Sequence, residues 1–111
     1  MPSRSLIVLA IACALALPLV AGNAVAASTR TVVLRDIAFK PQKVTIRRGD
    51  RVRWRWNDRD TSHNVTSRGH SRFKSSAIKS AGTYVVRFRR PGTYLYVCTL
   101  HPGMAGRVVV R

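Results

Sequence analysis

The chain has 111 residues, 46% of them hydrophobic, and sets 20 Lys and Arg against 4 Asp and no Glu, for a formal net charge of +16 at pH 7. That length supports one small domain, and the chain shows no repeat, no low-complexity tract and no second hydrophobic segment to build another. The charge predicts an attraction to acidic proteins, anionic membrane surfaces or polyanions that weakens with salt.

Residues 1–27 read as a secretory signal peptide. Arg4 supplies the positive region, Leu6 to Val20 the apolar stretch, and Ala24-Val25-Ala26 an A-x-A cleavage site. The apolar run contains Pro18 and is short for a membrane span of roughly 20 residues. Cys13 is preceded by Ala10-Ile11-Ala12, which fits a lipidation signal poorly. The expected product is an exported, periplasmic domain of residues 28–111. Without Arg4 it keeps 19 basic residues against Asp36, Asp50, Asp58 and Asp60, a charge near +15. Cys98 is its only cysteine, so an internal disulfide is excluded even in a compartment that permits one.

Turn signals then recur about every ten residues: Lys40-Pro41, Arg48-Gly49-Asp50, Asn57-Asp58, Arg68-Gly69, Ala81-Gly82, Pro91-Gly92 and Pro102-Gly103. Short β-type runs lie between them, and no segment holds a helical period of apolar residues. In Arg51 to Trp56, alternation sends Val52, Trp54 and Trp56 to one face and three arginines to the other. Tyr84, Val86 and Phe88 alternate against Val85, Arg87 and Arg89. Tyr94, Tyr96 and Cys98 share an inward face, and Arg107 to Val110 closes the sheet. This pattern predicts an all-β, single-domain, antiparallel-rich β-sandwich. With basic residues on the outer faces and both tryptophans inward, no stacking platform for nucleic acid is evident, and no specific nucleic-acid binding is expected.

The chemistry concentrates in Cys98-Thr99-Leu100-His101-Pro102-Gly103-Met104. A thiolate, an imidazole and a thioether stand at steps of three. His101-Pro102-Gly103-Met104 has the composition of a type II turn, with Pro second and Gly third, and such a turn holds its ends within about 7 Å. His101 and Met104 can therefore converge on one ion while Cys98 approaches from a strand end. His63, which follows the polar run from Asn57 to Ser62 and enters a short Val-containing strand, is the best fourth ligand. Two His nitrogens and a Cys sulfur in a plane, with a weak axial Met, make a blue-copper arrangement for one ion cycling between Cu(I) and Cu(II). His70 lies in a polar stretch without sulfur nearby and is read as exposed and non-ligating.

The domain resembles a small cupredoxin of the plastocyanin and amicyanin family. The likeness is carried by Ile37-Ala38-Phe39-Lys40-Pro41, Val44 to Asp50, His63-Asn64-Val65, Pro91-Gly92-Thr93-Tyr94 and the Cys-x-x-His-x-x-Met loop, whose length is closest to amicyanin. The resemblance implies a Greek-key β-sandwich holding one type 1 copper through His63, Cys98, His101 and Met104, a non-enzymatic electron-transfer role, and Asn64 as the residue whose backbone hydrogen-bonds the cysteine sulfur and ties the two ligand segments together. His101 would present its ring edge for electron transfer in a small apolar patch with Leu100, Pro102 and Gly103, extended by Phe39 and Pro41. Val97 stands where plastocyanins carry an exposed aromatic, and no acidic patch exists, which argues against a second electron port. The expected partner is an acidic redox protein such as a c-type cytochrome or an oxidoreductase, with the carrier monomeric and at most weakly associated with anionic membrane. A periplasmic copper chaperone or copper-sequestering protein on the same fold is the competing reading. Enzymes with several copper centres need more than three histidines.

Overall fold

The computed structural model describes residues 2, 3, 5, 7–18 and 25–111. Arg4, Leu6 and Ala24 of the leader lie outside the described residues, as do residues 19 and 20 of its apolar stretch. The described part of that stretch has no helix or strand, and its large apolar side chains, Ile7 to Leu17, are exposed.

Eight strands follow: β1 Thr29–Arg35, β2 Ala38–Lys40, β3 Lys43–Ile46, β4 Arg51–Trp56, β5 Thr66–Arg68, β6 Thr83–Arg87, β7 Gly92–Val97 and β8 Ala105–Val110. They form two four-stranded sheets, ordered β2-β1-β4-β6 and β3-β8-β7-β5. The β1–β2 and β7–β8 connections stay within a sheet. Every other connection crosses between sheets, so the chain winds around the core as the β-sandwich reading requires.

Period-two alternation decides what fills the space between the sheets. Val32 and Leu34 of β1, Val52, Trp54 and Trp56 of β4, Tyr94 and Tyr96 of β7, and Val108 and Val110 of β8 all point inward and are buried. Trp54 is the centre of this core, meeting Tyr96 edge-on at 5.3 Å between ring centroids and stacking on Phe73 at 5.6 Å. The outward set of β4 is Arg51, Arg53 and Arg55, as alternation predicts.

One feature refines the sequence reading and another corrects it. The sandwich is mixed: β1 pairs with β4, and β3 with β8, in parallel, while four pairs are antiparallel. His63, by contrast, does not enter the short Val-containing strand expected of it. It forms an isolated antiparallel bridge with Lys79, and β5 begins only at Thr66.

Asp50 ties the start of β1 to the β3–β4 turn. Its carboxylate accepts the Ser28 N–H at 2.9 Å and the Arg47 N–H at 3.0 Å. These bonds, the one from Ser28 first, hold its pKa below the usual carboxylate value. A carboxyl whose folded pKa is depressed gives stability that is complete above its unfolded value of about 3.9 and is lost as pH falls through the lower folded value. The Asp50→Asn variant is therefore expected to melt below the parent at pH 7, with the gap closing below about pH 4. Thermal melts across this pH range check it; a gap independent of pH would mean that the charge of Asp50 is immaterial.

Candidate metal centre

The loop between β7 and β8 is shaped by two nested backbone hydrogen bonds. Cys98 N–H donates to the Met104 carbonyl at 2.9 Å, and Met104 N–H donates to the His101 carbonyl at 3.2 Å. Gly103 has φ 78°, the left-handed value that the third position of a type II turn requires. Cys98 continues the inward face of Tyr94 and Tyr96 and is 3% exposed, and Met104 is buried beside it in the sequence turn. The opposite side comes from the loop after β4. His63 is held by reciprocal backbone bonds with Lys79, each 2.9 Å, and its carbonyl also accepts the Trp56 indole N–H at 3.0 Å. Its side chain is wholly buried.

These two segments bring three donor atoms together. His63 Nδ1 lies 3.2 Å from His101 Nδ1 and 3.7 Å from Cys98 Sγ, and Cys98 Sγ lies 3.5 Å from His101 Nδ1. They are the one such cluster of His, Cys, Asp or Glu among the described residues. The point equidistant from all three is about 2.0 Å from each, close to ordinary metal–imidazole bond lengths and slightly short of a metal–thiolate bond. Two imidazoles and a thiolate around a point of that radius suit a first-row ion that accepts both nitrogen and sulfur, copper among them. His70, by contrast, is exposed.

The supporting contacts are specific. Asn64 locks the segments through its side chain, Oδ1 accepting the Thr99 N–H at 2.9 Å and Nδ2 donating to Thr99 Oγ1 at 2.7 Å. Where the resemblance implied a backbone bond from Asn64 to the Cys98 sulfur, the tie between the segments is made by the side-chain amide to Thr99. Asp58 was missed by sequence reading. Its Oδ2 lies 2.8 Å from His63 Nε2 and also accepts the Ile37 N–H at 2.9 Å. With Nε2–H donated to that oxygen, His63 keeps the Nδ1 lone pair free toward Cys98 and His101. The Ile37 bond first, then the His63 bond, holds the Asp58 pKa below the usual carboxylate value, so it is ionised at neutral pH. The available signal was scarcity: one of only four acidic residues stands five positions before the histidine.

Ile37 is itself unusual. Asp36 and Ile37 have φ of 54° and 52°, forming the two-residue β1–β2 hairpin turn, and a β-branched residue pays a steric penalty there. The turn leaves the Ile37 side chain 51% exposed, at the same end of the sandwich as Leu100, which is 42% exposed. Phe39, expected to extend the surface patch, is instead buried with its ring edge-on to Tyr96 at 4.7 Å. In a three-residue strand, the face that points inward is set by the partner strand. Ile37 therefore takes the exposed position that Phe39 was assigned.

A two-sheet sandwich with two histidines and a cysteine converging at one end defines a mononuclear copper domain of the cupredoxin type. Residues 26–111 match the family of copper binding proteins, plastocyanin/azurin family, and the chain belongs to it. Amicyanin-alpha of Methylorubrum extorquens is 35% identical over 89 residues, covering 77% of this chain and 74% of the relative. Amicyanin of Paracoccus versutus is 32% identical over 96 residues, covering 83% and 72%. Among solved structures, a reduced amicyanin variant aligns with TM-score 0.63 at 30% identity over 75% of this chain and 82% of its own. A purple cupredoxin from Nitrosopumilus maritimus aligns with TM-score 0.66 at 21% identity over 73% of this chain and 98% of its own, a likeness of fold.

Proposed function

We propose that this protein is an exported one-electron carrier holding a single type 1 copper through His63, Cys98, His101 and Met104. The observation that supports it most is the 3.2, 3.5 and 3.7 Å triangle of His63, His101 and Cys98 donor atoms. Copper bound there supplies the Cu(I)/Cu(II) couple. The chain's own contribution is to keep the donors where both oxidation states accept them. Asp58 fixes the His63 ring, Asn64 and Thr99 clamp the two segments, and the type II turn fixes His101. Burial of Cys98 and Met104 keeps water from the thiolate and favours retention of the metal over its handover. This is the reason to prefer a carrier to a copper chaperone or a copper-sequestering protein.

His101 is the half-exposed member of the set, and its ring edge is the port through which electrons enter and leave. Leu100, Pro102, Gly103 and Ile37 surround it with exposed apolar surface. Such a surface suits brief docking of an acidic redox protein, a c-type cytochrome or an oxidoreductase, steered by the net positive charge. Residues 1–27 act as the signal peptide, and residues 28–111 work in the periplasm as a monomer. No catalysis is assigned to it.

Loading purified protein with Cu(II) is expected to produce intense sulfur-to-copper absorption at about 600 nm that bleaches on reduction and returns on reoxidation. A colourless oxidised protein would refute the ligand set. Release of copper on reduction would refute the carrier role and leave the chaperone.

A further inference from the structure

A second site lies at the other end of β7 from Cys98, six strand residues or about 20 Å away. There β6, the turn into β7 and the segment around Phe73 border an open, shallow cleft of about 280 Å³. Five cationic side chains line it, Arg72, Lys74, Arg87, Arg89 and Arg90, and no carboxylate does. Among the described residues none of the five belongs to an ion pair.

The backbones that carry these cations are held in place. Phe88 exchanges backbone bonds with the β3–β4 turn, its N–H to the Asp50 carbonyl at 2.9 Å and its carbonyl from the Gly49 N–H at 2.7 Å. Tyr94 OH donates to the Arg90 carbonyl at 2.8 Å. Arg72 is fixed by its own guanidinium, which donates to the Gly69 carbonyl at 2.7 Å and the Ser67 carbonyl at 3.1 Å. The floor is aromatic: Phe73, Phe88 and Tyr94 meet edge to face, with centroids 4.9 to 6.4 Å apart. An apolar floor lowers the local dielectric and strengthens both the repulsion among these cations and their attraction to an anion.

The local charge has no internal remedy. Arg87 stands directly opposite Arg51 across β4 and β6, an unfavourable like-charge pair. The nearest acid, Asp50, gives its carboxylate to the Ser28 and Arg47 N–H groups. Asp36, Asp58 and Asp60 belong to the two loops beside His63, at the metal end.

We propose that this cleft is a binding site for a phosphate-bearing oligoanion. Guanidinium forks pair bidentately with phosphate oxygens, and a ligand with adjacent phosphates neutralises several of these cations at once. The proposal is independent of copper and of the electron-carrier reading.

Isothermal titration of inorganic pyrophosphate into the reduced protein, at fixed ionic strength, tests it. The Arg87→Gln/Arg89→Gln/Arg90→Gln variant is expected to bind about tenfold more weakly or worse, while Lys43→Gln/Arg53→Gln/Arg55→Gln, with the same loss of charge, weakens less than about threefold. Should the first variant fail to fold by circular dichroism, Arg89→Gln/Arg90→Gln leaves β6 intact, with an expected loss of about fivefold. Equal weakening in cleft and control variants, or no heat of binding in the parent, overturns the proposal. Phosphatidylglycerol vesicles then separate the sources. Cosedimentation lost in the cleft variant and displaced by pyrophosphate identifies a lipid headgroup, whereas cosedimentation absent, or equal in cleft and control variants, identifies a soluble oligophosphate.

Discussion

Replacing Asp58 with alanine is expected to raise the copper dissociation constant by about ten- to a hundredfold, although Asp58 is not itself among the donor atoms. One carboxylate oxygen holds two things in register, the Nε2–H of a fully buried histidine and the N–H of Ile37 in its left-handed turn. Without it the His63 ring loses its only polar partner, among the described residues, besides the donor cluster, and the tautomer that frees Nδ1 is no longer favoured. A buried donor left unpaired costs about 1–3 kcal/mol, so the metal-free variant should also melt lower. Asp58→Asn distinguishes position from charge, because an amide oxygen can accept both bonds. It is expected to recover most of the copper affinity. The measurements are copper competition against a chelator and the intensity of the absorption at about 600 nm. Lower melting with unchanged copper binding would show that Asp58 serves the fold alone.

The second large effect is steric. A methyl group added at Gly106 would sit 2.5 Å from both Cζ and the hydroxyl of Tyr96. That ring is fully buried, flanked by Trp54 and Phe39, and cannot swing aside. Tyr96 OH and Trp54 Nε1 are buried polar atoms with no well-formed hydrogen bond among the described residues, and burial pushes the Tyr96 pKa up to about 12. Gly106→Ala must therefore displace β8 or β7, at about 1–3 kcal/mol. For a domain of this size that lowers the melting temperature by about 5–20 °C, measurable by calorimetry. Because β7 and β8 carry the loop of Cys98 to Met104, the copper absorption should broaden as well. An unshifted melting temperature would mean that the strands separate at no cost.

Both effects turn on what the sequence did and did not disclose. Alternation in Arg51 to Trp56 and in Tyr94 to Cys98 made the inward faces legible, because a strand reports its burial every second residue. The type II turn was legible from Pro102-Gly103 alone, since only that order suits its dihedral angles. The parallel pairing of β1 with β4 was not, because pairing between distant strands leaves no local mark. Nor was the burial of Phe39, since β2 has too few residues to show a period. Asp58 escaped for the same reason as the β1–β4 register: its bond to His63 belongs to the folded loop, and an aspartate in a polar run reads equally well as solvated. Asn64 was singled out, yet the atoms that do its work are those of the amide side chain.

The anchoring of Ser28 to Asp50, beside the pairing of Thr29 with Arg51 at the start of β4, has a practical outcome. Ser28 lies opposite the end where Cys98 and His101 meet, and so does Arg111, bonded through its N–H to the Ile46 carbonyl. A linker attached at Ser28 or at Arg111 would therefore bind the protein to an electrode or bead with His101 facing the solution. Wiring through an engineered cysteine near Leu100 would instead hide that side chain.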